Sequence, residues 1–161
     1  RVPCQPPAGR AFGSYCECRC AIMAPGQAGR PPMNADERRL ELDEVTKSVI
    51  GCAYTVTNTL GFGFTEKVYE NALAHELRKT GLAVAQQQSV RVWYDGIAVG
   101  DFTPDLLVDD RVLVELKAVK ALDDAHTAQC LNYLKATGLQ VCLLMNFGRP
   151  RVEIKRVVLN Y

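Results

Sequence analysis

No run of apolar residues in this 161-residue chain approaches the ~20 needed to cross a bilayer as a helix, so a membrane-spanning helix is excluded. There is no surplus of one charge either. The formal net charge is +1, and it hides a division: residues 1–32 carry four arginines against Glu17, leaving 15 basic and 17 acidic residues in the remainder. A net-acidic body does not advertise tight nonspecific binding to nucleic acid, so such contact must use a local patch or a metal. Paired Cys-x-x-Cys motifs of structural zinc are missing as well. Cys4, Cys16, Cys18 and Cys20 lie in the N-terminal stretch, three of them as Cys-x-Cys-x-Cys, while Cys52, Cys130 and Cys142 sit singly in apolar segments. Single cysteines in such settings predict buried free thiols and a reducing, cytoplasmic compartment.

Residues 1–32 hold six of the eight prolines and four glycines without any helical or strand period, which predicts a disordered tail. Arg1 is not an initiator, so the chain is processed, truncated, or extended upstream of a natural start at Met33. An arginine-bearing, acid-poor tail also fits an organelle transit peptide, although its prolines and cysteines fit poorly. One domain is expected over residues 33–161.

Within that domain Leu42, Val45, Val49, Cys52, Val56 and Leu60 recur every three or four residues, predicting a helix over 36–60 that Gly61 ends. A second helix is expected over 66–80, with Thr65 as N-cap and Gly81 as its stop. Leu73 and Leu77 mark its buried stripe, which Tyr69 and Glu66 extend, so Glu66 points toward the core side. Alternation then predicts a strand over 90–94, the Asp95-Gly96 turn leads into a second over 97–108, and a third follows over 112–119. Asp123 caps a third helix ending at Gly138, and strands over 139–145 and 152–159 complete the chain. The order is helix, helix, three strands, helix, two strands: an α/β (α+β) architecture with a mixed sheet and helices packed on it.

Polar residues that interrupt the third strand carry the chemical interest. Val112 to Val119 contains only Glu115 and Lys117 as polar positions, so the strand reads as buried on both faces. A buried unpaired charge is costly, and these two need each other, a metal or water. If the loop after Val108 has an odd number of residues, Asp105 falls opposite Glu115 on one face, with Lys117 beside it. A two-residue loop sends the carboxylates to opposite faces. Two opposed carboxylates suit a hard divalent cation; a salt-bridged sheet edge is the plainer alternative. On the third helix His126, Gln129 and Tyr133 share a face at i, i+3 and i+7. They read either as groups that hold a nucleotide or as a polar surface in water, and His126 near the helix start also suits capping.

Pro104-Asp105, nine residues, then Glu115-Leu116-Lys117 resembles the signature of the PD-(D/E)XK nuclease superfamily, whose core element order is the one read above. Gln129-Cys130-Leu131-Asn132-Tyr133 is similar to the Gln-x-x-x-Tyr motif of its RecB-like branch. Gly63-Phe64-Thr65-Glu66-Lys67-Val68-Tyr69 resembles the defining motif of the GxxExxY proteins, and the segments around Glu115, Lys135 and Asn146-Phe147-Gly148 are similar to that family too. The resemblance implies a restriction-endonuclease-like fold and metal-dependent phosphodiester hydrolysis. It implies that Asp105, Glu115 and the Leu116 carbonyl hold Mg2+ or Mn2+ and that Glu66 extends this site. Lys117 would orient or deprotonate the attacking water, its pKa lowered near the metal, and Gln129, Tyr133 and His126 would support substrate. The implied partner is nucleic acid, DNA ahead of RNA, in repair or processing, with a homodimer or a partner protein left open. Two rivals stand beside this reading: a catalytically silent nucleic-acid-binding or assembly module, and a hydrolase of another phosphate ester.

Overall fold

A computed structural model describes residues 34–159; the expectations for the tail, including its four cysteines, lie outside the described residues. Helix α1 (Ala35–Leu60) opens on a reciprocal cap in which Asn34 and Glu37 each accept the other's backbone N–H, and it stops at Gly61. Helix α2 (Glu66–Lys79) follows a short connector, with Thr65 in the N-cap position but making no side-chain cap bond. Seven strands come next in two sheets: β1 (Val84–Gln86), β2 (Val90–Tyr94), β3 (Ile97–Phe102), β4 (Leu106–Val108), β5 (Val112–Lys117), β6 (Val141–Asn146) and β7 (Glu153–Val158). Helix α3 (Asp124–Thr137) links β5 to β6.

The main sheet has the order β1-β4-β5-β6-β7. Only β5 and β6 pair in parallel, which α3 makes possible as the crossover; the other neighbours are antiparallel. Strands β2 and β3 form a separate two-stranded ribbon, turned at Asp95 and Gly96, both of which take positive φ as a two-residue hairpin loop requires. A mixed sheet carrying helices is thus observed as expected, with two differences. The short edge strand β1 was not expected, and the single strand predicted over 97–108 is two strands in different sheets, interrupted at Thr103-Pro104-Asp105. A proline has no N–H to give to a ladder, so the run breaks where Pro104 falls.

Side chains alternate across the main sheet and build two cores. Leu106, Val108, Val112, Val114, Leu116, Leu143 and Met145 pack with the buried stripes of α1 and α2. Leu113, Cys142, Leu144 and Val157 pack with Cys130 and Leu134 of α3 on the other side. Strand β5 is therefore buried on both faces, and Cys52, Cys130 and Cys142 are buried free thiols. Because residues two apart share a face, Leu113 carries Glu115 and Lys117 onto the α3 side.

Candidate active site

The loop after Val108 has the odd length on which the site depends. Val108 pairs with Val112 and Leu106 with Val114, leaving Asp109, Asp110 and Arg111 in the turn. Asp109 and Asp110 both take positive φ, a conformation aspartate tolerates better than most residues. Arg111 N–H donates to the Val108 carbonyl, while Asp109 is tied to Ala83 through both its backbone N–H and its carboxylate. Continuing the register by one residue puts Asp105 opposite Glu115, on one face of the sheet.

Asp105 lies just before β4 in the break that Pro104 creates, where its carboxylate is free to turn across to β5. Its Oδ2 accepts the Leu116 N–H at 2.7 Å, and its Oδ1 accepts from Gln87 Nε2 at 3.1 Å. Glu115 is 4% exposed. Its Oε1 accepts from Lys117 Nζ at 2.7 Å, and its Oε2 is buried with no hydrogen-bond partner. Burial pushes the Glu115 carboxyl up to about 7, against the Lys117 hydrogen bond and with the Asp105 charge adding to the rise. Asp105 is also raised, chiefly by burial, with the Leu116 N–H and Gln87 working the other way. For Lys117 burial favours the neutral amine, but Glu115, Glu66 and Asp105 outweigh it and hold the pKa above the ordinary lysine value. Surrounded by these carboxylates, the side chain is held as an ammonium.

Glu66 is exposed at the start of α2, yet its Oε1 accepts the Ala118 N–H at 3.1 Å, immediately after Lys117. Tyr69 explains how α2 holds that position. Its ring is buried and stacks on Phe147 with centroids 4.7 Å apart; its hydroxyl donates to the Gly61 carbonyl and accepts the Phe64 N–H. Phe147 N–H in turn donates to the Lys117 carbonyl at 2.7 Å. Asn146 Oδ1 accepts from both Val119 and Gly148, and a Cβ on Gly148 would sit 2.2 Å from the Val119 carbonyl oxygen. The end of β5 is thus clamped from both sides.

From α3, Gln129 Nε2 donates to the Tyr133 hydroxyl, and Tyr133 stacks on Phe102 of the ribbon with centroids 4.3 Å apart. Burial raises the Tyr133 phenol and the Gln129 hydrogen bond opposes it, while the charges of Glu115, Lys117 and Asp105 contribute smaller effects. His126 is placed differently. It completes the α3 cap reciprocally with Asp123, its Nδ1 accepting the Asp123 N–H at 3.1 Å.

Two residues that sequence reasoning missed belong to this neighbourhood. Glu70 is 3% exposed and accepts from Lys67, Gln86 and Gln87. Gln87 uses one amide nitrogen to bridge Glu70 Oε2 at 2.9 Å to Asp105 Oδ1. Glu70 had a signal, since it falls four residues after Glu66 and three before Leu73 on the buried stripe. Gln87 stands in a run of three glutamines without a period, so nothing singled it out.

Among the described residues no group of three His, Cys, Asp or Glu side chains is clustered to hold a metal ion. Two carboxylates and a main-chain carbonyl remain as the donor set. Glu115 Oε2 is a buried oxygen in need of a partner, and each Asp105 oxygen accepts one hydrogen bond while having capacity for another. Hard oxygen donors of this kind fit Mg2+, which keeps several of its waters.

No curated protein matches the chain. Among solved structures, an alkaline exonuclease (LHK-Exo) from Laribacter hongkongensis aligns with 18% identity and a TM-score of 0.45, covering 80% of this chain and 73% of that one. The protein SSO0001 aligns with 16% identity and a TM-score of 0.47, over 77% of this chain and 63% of that one. No helix among the described residues is long and apolar enough to cross a membrane. The mixed sheet with its helices is a restriction-endonuclease-like fold, and the sequence profile of the PD-(D/E)XK nuclease superfamily matches residues 43–157. With most of its length so matched, and with Pro104-Asp105 and Glu115-Leu116-Lys117 inside the match, the chain belongs to the PD-(D/E)XK nuclease superfamily.

Proposed function

We propose that the protein is a metal-dependent nuclease hydrolysing phosphodiester bonds of DNA or RNA in repair or processing, and that it lies in the GxxExxY group near the RecB-like branch. The single observation that carries this reading is the buried, partnerless Glu115 Oε2 on the face shared with Asp105 and Lys117. A sheet stabilised for its own sake has no use for an orphan carboxylate oxygen, whose burial costs free energy.

Asp105, Glu115 and the Leu116 carbonyl would hold Mg2+ or Mn2+, with Glu66 extending the site from α2. The ion, when bound, supplies electrophilic stabilisation of the phosphate and acidifies water. Gln87, itself anchored on Glu70, keeps Asp105 turned toward β5. Lys117 orients the attacking water by donating to it and compensates charge on the scissile phosphate. Tyr133 and Gln129 support the strand next to the scissile bond, while His126 supports it indirectly by fixing the start of α3.

Cleavage of single-stranded, duplex and branched DNA and RNA with Mg2+ or Mn2+ tests this, alongside Asp105→Ala and Lys117→Ala. Metal-dependent cleavage lost in both variants is the expected result. Cleavage that survives both substitutions removes the site, and no cleavage of any substrate favours a silent binding module.

A further inference from the structure

The β2–β3 ribbon exposes more large apolar surface than its own packing calls for. Trp93 is 58% exposed, and Tyr94, Ile97 and Val99 are open to solvent as well. The pairing slips between Val92 and Trp93: Val92 faces Gly100 but Trp93 faces Ala98, so Val99 is an extra residue on β3. Such a bulge re-aims side chains and raises local twist. Between this ribbon and α3 runs an open groove of about 550 Å³ lined by Arg91, Trp93, Phe102, Asn132, Tyr133 and Lys135, among others. Two cations and no carboxylate line it, in a body that is otherwise net acidic. Arg91 is paired with Asp101 at 3.2 Å, whereas Lys135 has no carboxylate partner among the described residues.

We propose that this groove binds single-stranded nucleic acid, with a base stacking on Trp93 and the backbone phosphates meeting Lys135 and Arg91. The proposal rests on the nuclease reading for the fate of the strand, because Tyr133, which that reading uses to support the substrate, lines this groove. Aromatic faces beside cations form a platform for unpaired bases, whose π-faces are free, whereas a duplex hides those faces in its own stack. The Tyr133 ring belongs to the groove wall through its stack on Phe102, and its hydroxyl is held by Gln129.

Trp93 is the chain's one tryptophan, so its emission reports on the groove alone. The full chain, in chelator to prevent cleavage, is titrated with labelled oligodeoxythymidylate of about 12 nucleotides, within the range such sites cover, and with a duplex of the same length. Saturable quenching of Trp93 by the single strand and weaker binding of the duplex are expected. By anisotropy, Trp93→Ala raises Kd about tenfold, and Lys135→Ala lowers the slope of log K against log salt by about 0.7. Equal affinity for strand and duplex, or a Kd unmoved by both Trp93→Ala and Lys135→Glu, overturns the groove. The two readings separate cleanly. Metal-dependent cleavage with unmoved affinities sinks the groove and spares the nuclease; saturable quenching with no cleavage of any substrate does the reverse.

Discussion

The backbone N–H of Leu116 donates to Asp105 Oδ2 at 2.7 Å, across the two strands joined by the Asp109-Asp110-Arg111 turn. One main-chain bond thus ties the Asp105 carboxylate to the strand that carries Glu115 and Lys117. Gln87 adds the second fixed point on Asp105.

Gln87→Leu removes that second point and leaves Glu70 with one donor fewer. Support of a ligand by an outer partner is worth about 10–100-fold in metal affinity. Calorimetric titration with Mn2+ should show a loss of that size, with thermal unfolding little changed. An affinity equal to that of the parent protein means Gln87 does not orient Asp105.

Glu115 makes metal-free stability depend on pH in a definite sense. Its carboxyl titrates near 4.5 when unfolded and near 7 when folded, so between those values the folded state holds a proton that the unfolded state has lost. Stability therefore falls as pH rises through this window, by about 3 kcal/mol in all. Urea unfolding of the parent and of Glu115→Gln, compared between about pH 5 and 8, should show a difference that shifts against the parent protein as pH rises. A difference independent of pH leaves no place for the raised carboxyl. The same proton must leave before an ion binds, so Mg2+ affinity should climb with pH and level off above about 7.

Tyr69→Phe deletes one hydroxyl that bonds the Gly61 carbonyl and the Phe64 N–H in a partly buried place. A loss of about 1–3 kcal/mol is expected from the two groups left unpaired, measured by denaturant unfolding. Because Glu66 starts α2 beside them, metal affinity should weaken as well; unchanged stability and affinity together would show the connector is held by other contacts.

Gly148→Ala places a methyl group against the Val119 backbone, with the nearest approach only 2.2 Å. Backbone on one side and a clamped turn on the other leave no flexible neighbour to yield. About 1–3 kcal/mol or more of destabilisation follows from such overpacking, and amide exchange should quicken in the segment after Lys117. Parent-like unfolding would falsify the close packing of this turn.

Much of this arrangement was legible because local signals agreed with global ones. The apolar period of α1, the Asp123 cap and Gly138 stop of α3, and the nearly unbroken apolar run of β5 all point to the elements observed. The turn parity could be posed from sequence as a choice between odd and even, and Val108 pairing with Val112 answers it. Other features had no local signal. β1 is three residues long and half-buried, held by pairing with β4 rather than by its own composition. The break between β3 and β4 did have one, Pro104, which an apolar run on either side masked. Gln87 takes its role from partners 17 and 18 residues away in sequence, which no local pattern encodes.

The outer strands of the main sheet bear on how copies of the chain meet. At one end β1 offers only three residues; at the other, β7 carries Glu153, Lys155 and Arg156, and Arg156 is paired with Asp43 of α1 at 2.8 Å. A short edge and a charged edge both discourage a foreign strand from adding to the ladder. The main sheet is thereby guarded against fibrous growth at both ends, so a concentrated preparation should resist forming cross-β assemblies through it.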